Sequence, residues 1–505
     1  MWRDNLSTLD CLFIAPPTGG KIYQELSNKY SPIETPTWAL LLAESCRSVE
    51  YNVGISDLNI EKTDSIVNRI KLENPKYICI VVYGPNPNSG TMMMGGALEF
   101  ADIVKKNLPN ITIIFVGSHV SALPYEVLKE KSVDIVLTNE GVYALRNILG
   151  GKSLQEIKGI GYDDMLNPPE KLVPQSRMDL DLPGYSWDLL PYKHKPLDLY
   201  KCHFWHSGYN HEKRSPFAAI YTSLGCQFRC SFCMVNILNK NDNADIGIAS
   251  NYAGMRFWSP DFIVHEIEKL YKMGVIRIRL ADEMFLLNRK YYVPFCENII
   301  KRGLGNKLYM WAYSRIDTVN DVKQLKLIRK AGIRWLCLGI ESGDMRVRLE
   351  VTKGKFEDVD IKSVIDICHE NDIEIIANYM FGLPNDTYES MTKTFTLSLE
   401  LCTIVWNAYA TMALPGSELY KEALDKDIPL PDSYEGYSFH SYETLPLPTS
   451  QLTSAEVLEF RDWAWSAYHS YPPFLRKVEE KYGIKQRKNI ETMTDIILKR
   501  KLLGD

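Results

Sequence analysis

Nowhere in the 505 residues is there an unbroken apolar run of about 18 or more, the length a helix needs to cross a bilayer. No membrane span is expected. The start of the chain lacks a basic region followed by a long apolar stretch, so no secretory leader is expected either. Positive charge is scarce: 58 lysines and arginines face 63 aspartates and glutamates, a net charge of −5, which gives a nucleic acid no electrostatic footprint. The eleven cysteines show no disulfide-framework spacing. That points to a reducing, cytoplasmic compartment in which thiolates stay available. What remains, 45% apolar and 24% charged, is the composition of a globular protein long enough for two or three domains.

The densest chemistry lies in Gly225 to Cys233, GCQFRCSFC, where Cys226, Cys230 and Cys233 bring three thiolates into one short stretch. Thiolates suit iron in clusters, or zinc. Three are too few to fill a four-iron cluster, so one iron would stay open to a small molecule. A structural zinc site takes four protein ligands, and Cys202, His203, His206 and His211 stand close enough upstream to supply one. Buried cysteines that bind nothing are a third reading.

The cysteine spacing resembles that of the radical S-adenosylmethionine (SAM) enzymes. The resemblance implies that Cys226, Cys230 and Cys233 hold a four-iron, four-sulfur cluster, that SAM chelates the fourth iron, and that Phe232 packs on adenine. Electron transfer from the cluster would then cleave SAM to a 5′-deoxyadenosyl radical.

From residue 9 to 150, short apolar strands alternate with helical stretches, the pattern of a parallel sheet covered by helices. Strands are predicted at 11–15, 52–57, 77–83, 111–117 and 135–137. Loops rich in glycine and proline follow the first, third and fourth, at the strand ends where such sheets bind ligands. Each alone reads as ordinary turn chemistry. Together they resemble the cobalamin-binding domain that precedes many radical SAM domains, with Val116 to Leu128, VGSHVSALPYEVL, as one landmark and Asn139 to Val142 as a partial second. The resemblance makes Thr18, Gly84, Pro85, Ser89, Gly117, Ser118, His119, Leu123, Glu140 and Gly141 candidate cobalamin contacts. No Asp-x-His-x-x-Gly motif is present, so the lower histidine ligand of the best-known cobalamin proteins is missing. His119 reads better as a loop histidine bonded to backbone than as a cobalt ligand. Met92 to Met94 read as helix core.

Residues 151–215 are rich in proline, aspartate and aromatics and read as a linker or a cover. Within them GYSWDLLP, Gly184 to Pro191, resembles the connector between the two domains. Past the cysteines, strands predicted at 218–222, 275–281, 309–313, 335–339, 374–380 and 404–413 alternate with helices, as in a β/α barrel whose chemistry sits at strand ends. Six strands match the partial barrel of radical SAM enzymes. By that likeness Asp282 and Glu283 bond the SAM amino group and Arg315 meets its carboxylate. Gly339, Glu341 and Ser342 fall in a match to Gly-x-Glu-Ser-Gly, and Gly382 lets backbone approach adenine. Leu414 to Ser417 is a further landmark.

From residue 426 the chain turns helical. Trp463, Trp465 and Tyr468 in the helix predicted at 454–469 read as core against the barrel. Lysines and arginines between 485 and 501 alternate with acids as on a solvated helix.

The expected fold is α/β. Residues 1–150 form a Rossmann-like cobalamin-binding domain, 151–215 a linker, 216–425 a partial (β/α)6 TIM-type radical SAM barrel and 426–505 a small helical region. The expected function is that of a cobalamin-dependent radical SAM C-methyltransferase acting on an unactivated carbon of a small molecule. A flavodoxin- or ferredoxin-type electron donor is the expected partner. Cyclisation or rearrangement, with or without cobalamin, and a zinc-stapled binding protein are the alternatives.

Overall fold

Strand β1, Cys11–Ala15, is buried at all five positions, and it sits inside a sheet whose two faces are both covered. The computed structural model describes residues 8–239, 247–248, 254–319, 321–353, 356 and 359–505, apart from the side chains of residues 28 and 239. Around β1 are β2 (Val53–Asp57), β3 (Tyr77–Val82), β4 (Thr112–Gly117) and β5 (Ile135–Leu137), all parallel, in the order β2-β1-β3-β4-β5. Runs of Ile, Val and Phe make these strands and need no polar face. The chain leaves β1 for β2 on one side and returns to β3 on the other, so a crevice opens above β1 and β3. The sheet continues past residue 150. Two short antiparallel strands, β6 (Ile160–Tyr162) and β7 (Met165–Leu166), extend its edge, too brief to leave a signal in the sequence.

The second sheet holds β8 (Phe217–Ile220), β11 (Arg277–Leu280), β12 (Tyr309–Arg315), β13 (Ile333–Glu341), β14 (Glu374–Phe381) and β15 (Val405–Ala410). All are parallel, in sequence order, as a half-barrel. Between β8 and β11 a small hairpin, β9 (Ser223–Leu224) with β10 (Arg256–Phe257), brackets the cysteine loop. The linker closes the lower end of this half-barrel with aromatics. The Trp205 ring lies 5.2 Å from Trp311 and 5.4 Å from Trp335, and His203 stacks on it at 5.3 Å.

Helix Ser454–His469, begun by a Thr453–Glu456 capping box, lies against β15, where Tyr468 donates to the Thr403 carbonyl and Arg461 to that of Ala408. Tyr468 is fully buried, whereas Trp463 is 52% exposed and only leans on Phe395 and Phe460, so the expected aromatic core is partial. Residues 434–447 run back over the first domain. Ser438 donates to the Ile22 carbonyl, Gln24 to those of His440 and Lys499, and the buried Arg500 binds Asp462 and the carbonyls of Phe439 and Ser441. Among the described residues no helix is long and apolar enough to cross a membrane.

Candidate active site

The cysteine loop leaves β9 through Gly225 and is held by bonds from three directions. Ser231 donates its N–H to the Val351 carbonyl and accepts from that of Leu419, and Asn236 donates to the Phe228 carbonyl. From the first domain Asn88 takes the Met234 N–H on Oδ1 at 3.1 Å, which points its Nδ2 at Cys233 Sγ, 3.8 Å away. Burial pushes the thiols up, Cys226 to about 12 and Cys233 to about 11, with Cys230 raised likewise. Each becomes a ligand only when a cation takes the place of its proton. Three soft donors on one braced loop fit a cluster.

Two carboxylates stand at strand ends around this loop. Glu283 follows β11 and Glu341 ends β13, and neither has a hydrogen-bond or ion-pair partner among the described residues. Burial pushes both up to about 7, Glu341 against the opposing pull of Arg315 and Arg348, and Glu283 against that of Arg279. Glu341 also has a positive φ of 63°, at the point where β13 and β14 shift register. Unpartnered carboxylates beside an open strand edge suit an ammonium group such as the one SAM carries.

Three other expected SAM contacts have employment elsewhere. Asp282 is 1% exposed and accepts from the Thr222 N–H and from the hydroxyls of Thr222 and Ser223, so its carboxylate braces the turn between β8 and β9. Ser342 is fully buried against the Thr394 hydroxyl and receives the Asp344 N–H. Gly382 has φ +78°, and a Cβ there would overlap Val457 of the C-terminal helix, so the glycine is required by helix packing. Arg315 forms a two-pronged pair with Asp317 and lies over the Phe228 ring at 3.8 Å. That makes it a structural pair beside the cysteines. Gly339 stands next to Glu341 on β13, and Phe232 packs between Met234 and Met380 in two apolar clusters.

The first domain presents its strand-end loops to the same place. Thr18 is tied to Asn59, Ser89 to Asn86, and Ser118 to the Pro87 carbonyl. Gly117 is needed because a Cβ there would strike the Val82 carbonyl. His119 is 1% exposed, bonded to the Thr91 hydroxyl at 3.1 Å, near Glu126 and edge-on to Tyr434. It is a buried structural histidine held by side chains, in place of the backbone bond expected. Leu123 packs with Met234 and Ala413 at the seam between the domains. Glu140 is buried in an ion pair with Arg256 and takes the Val173 N–H, while Gly141 begins helix Val142–Leu149. Gly84 and Pro85 line a crevice of about 570 Å³ above β1 and β3, together with Thr18, Trp38 and Tyr83. A second crevice of about 400 Å³ runs from Tyr83 and Glu140 to Gly225 and Glu283. Trp38 and Tyr83, stacked at 4.8 Å, wall both. Of the expected cobalamin contacts, Thr18, Gly84, Pro85 and Glu140 line these crevices.

The protein-family model of the Radical SAM superfamily matches residues 220–397, and that of the B12 binding domain matches residues 26–149. The chain is a radical SAM enzyme with a B12-binding domain. Its cofactors are a four-iron, four-sulfur cluster and SAM, with cobalamin belonging to the first domain. Among curated relatives, an uncharacterized methyltransferase of Pyrococcus horikoshii is 24% identical over 485 residues, 94% of this chain and 95% of that protein. The anaerobic magnesium-protoporphyrin IX monomethyl ester cyclase of Cereibacter sphaeroides is 26% identical over 380 residues, 72% of this chain and 56% of that protein. Among solved structures, the methyltransferase TsrM of Kitasatospora setae, with tryptophan and a SAM analog bound, superposes with a TM-score of 0.68 at 16% identity, over 97% of this chain and 99% of that one.

In this radical SAM enzyme the imidazoles upstream of the loop gather no metal. His203 bonds to Glu34, His206 to the Tyr309 carbonyl, His211 stacks on Phe204, and Cys202 is buried with Phe217 and Ala219. Each of the four thus has surroundings of its own. The zinc-staple reading therefore loses its ligands. Sequence reasoning missed the roles of Asn88, Trp38, Tyr83 and the buried pair Glu34–Arg279. Only Arg279 left a trace, a charged residue inside the apolar strand RIRL.

Proposed function

We propose that this chain is a cobalamin-dependent C-methyltransferase acting on an unactivated carbon of a small biosynthetic intermediate. The observation that carries the reading is the meeting of two strand-end edges at one seam, with Asn88 of the B12-binding domain seated on Cys233 and Met234 of the cysteine loop. When bound, the cluster with SAM supplies one-electron hydrogen abstraction, and cobalamin supplies a transferable methyl group. Cys226, Cys230 and Cys233 hold the cluster, and Glu283 and Glu341 receive the SAM ammonium. Asn88 fixes the distance between the two loops, and the Trp38–Tyr83 stack keeps water from the space between them. Electrons come from a flavodoxin- or ferredoxin-type donor. The methyltransferases among the relatives support methyl transfer, including the hopanoid C-3 methylase of Methylococcus capsulatus, 22% identical over 88% of this chain and 85% of that protein.

The cyclase likeness favours a second reading in which the same cofactors close a ring. Anaerobic reconstitution with iron, sulfide and hydroxocobalamin, followed by SAM and a reductant, separates the two. About one cobalt and about four irons per chain, with SAM converted to both S-adenosylhomocysteine and 5′-deoxyadenosine, are expected. Deoxyadenosine alone would favour the cyclase, and iron without cobalt would remove methyl transfer.

A further inference from the structure

We propose that the half-barrel binds its substrate through a carboxylate, and that Arg279 is the residue that takes it. This rests on the reading of the chain as a radical SAM enzyme that acts on a small molecule. Arg279 is 1% exposed, in the middle of β11. Its guanidinium carbon lies 5.1 Å from the Trp311 ring and 5.2 Å from the Tyr313 ring, two rings that meet edge to face at 4.9 Å on one side of it. One nitrogen, Nη1, donates to Glu34 Oε2 at 2.6 Å. Glu34 gives its other oxygen to His203, so it meets Arg279 by a single prong.

The Nε and Nη2 atoms of Arg279 are buried and have no partner. These two lie on the edge of a guanidinium that matches both oxygens of a carboxylate at once. Three other arginines of this chain fill that edge from within: Arg315 with Asp317, Arg500 with Asp462 and Arg177 with Asp181. Leaving two buried donors unpaired is costly, and the ion pair with Glu34 holds the guanidinium where it is. The surroundings are those of a binding space. Tyr23 and Glu34 line the 570 Å³ crevice that reaches Gly84 and Pro85. Burial raises the pKa values of Tyr221, Tyr409 and Glu283, and the Arg279 charge opposes that rise in all three.

The test uses the full-length, anaerobically reconstituted protein and matched pairs of small carboxylic acids and their primary amides, L-tryptophan and its amide among them. Binding is read by thermal shift and equilibrium dialysis. Acids should stabilise the protein more than their amides. Arg279→Lys, which keeps the charge and loses the fork, should weaken acid binding by about tenfold or more. Glu34→Gln should tighten it by leaving the Arg279 charge without its neutralising carboxylate. Acids that do no better than amides, none binding at all included, would overturn the proposal, as would acid affinity unchanged in Arg279→Lys. If Arg279→Lys fails to fold, Glu34→Gln decides, since affinity that does not rise there also overturns it. Iron and cobalamin content are measured on every variant. Their loss from the wild-type protein would count against the cofactor reading, whereas loss of the acid preference with both retained counts only against Arg279.

Discussion

Glu341 combines a left-handed backbone, an unpartnered carboxylate and a titration near neutrality, three costs at one residue. Its folded acid form persists to about 7, against about 4.3 in an unfolded chain. Between those values the folded chain holds more protons than the unfolded one, so stability falls as pH rises through the window and levels off above it. Glu283 acts in the same direction. SAM binding should do the reverse, with affinity rising from pH 6 to 8 as both carboxylates ionise. Glu341→Gln should lower SAM affinity by about tenfold and flatten that rise while iron content holds; calorimetry across the pH range checks it. Cys230→Ala should abolish reductive SAM cleavage and leave cobalamin uptake intact, as read by deoxyadenosine release and the corrin spectrum.

Strands and helices were legible because their signals are local. A run such as YICIVV or TIIFVG has to be buried on both sides wherever it lies, and the cysteine spacing carries its chemistry within one loop. Three of the expected SAM contacts have distant partners. Gly382 answers to Val457, Asp282 to Thr222 and Ser223, and Ser342 to Thr394, none of which a motif can display. Gly382→Ala should cost about 1–3 kcal/mol by chemical denaturation, and adding Val457→Ala should recover part of it. No recovery would return the glycine to the cofactor. The β3 loop is equally checkable. An N–H aimed at a thiolate stabilises the reduced cluster, so Asn88→Ala should lower its reduction potential with iron content unchanged, measured by EPR-monitored titration.

At the scale of the whole molecule, the domains meet through buried polar contacts as well as apolar ones. Arg256→Ala would leave Glu140 charged and unpaired in the seam, at an expected loss of about 3–5 kcal/mol, and Glu140→Gln in the same chain should restore part of it. Equilibrium unfolding of the three variants checks this.

The clasp around Arg500 has a consequence in time. The Gln24 side chain bonds to His440 and Lys499, 416 and 475 residues further on. The sheet is complete at Leu166, so at roughly 5–20 residues per second of synthesis it waits from about a quarter of a minute to about a minute for the segment that pins it down. Until Cys233, Met234 and Arg256 have been made, its strand-end loops have no partner from the second domain. A ligand as bulky as a corrin has its widest doorway on the ribosome, before the seam exists.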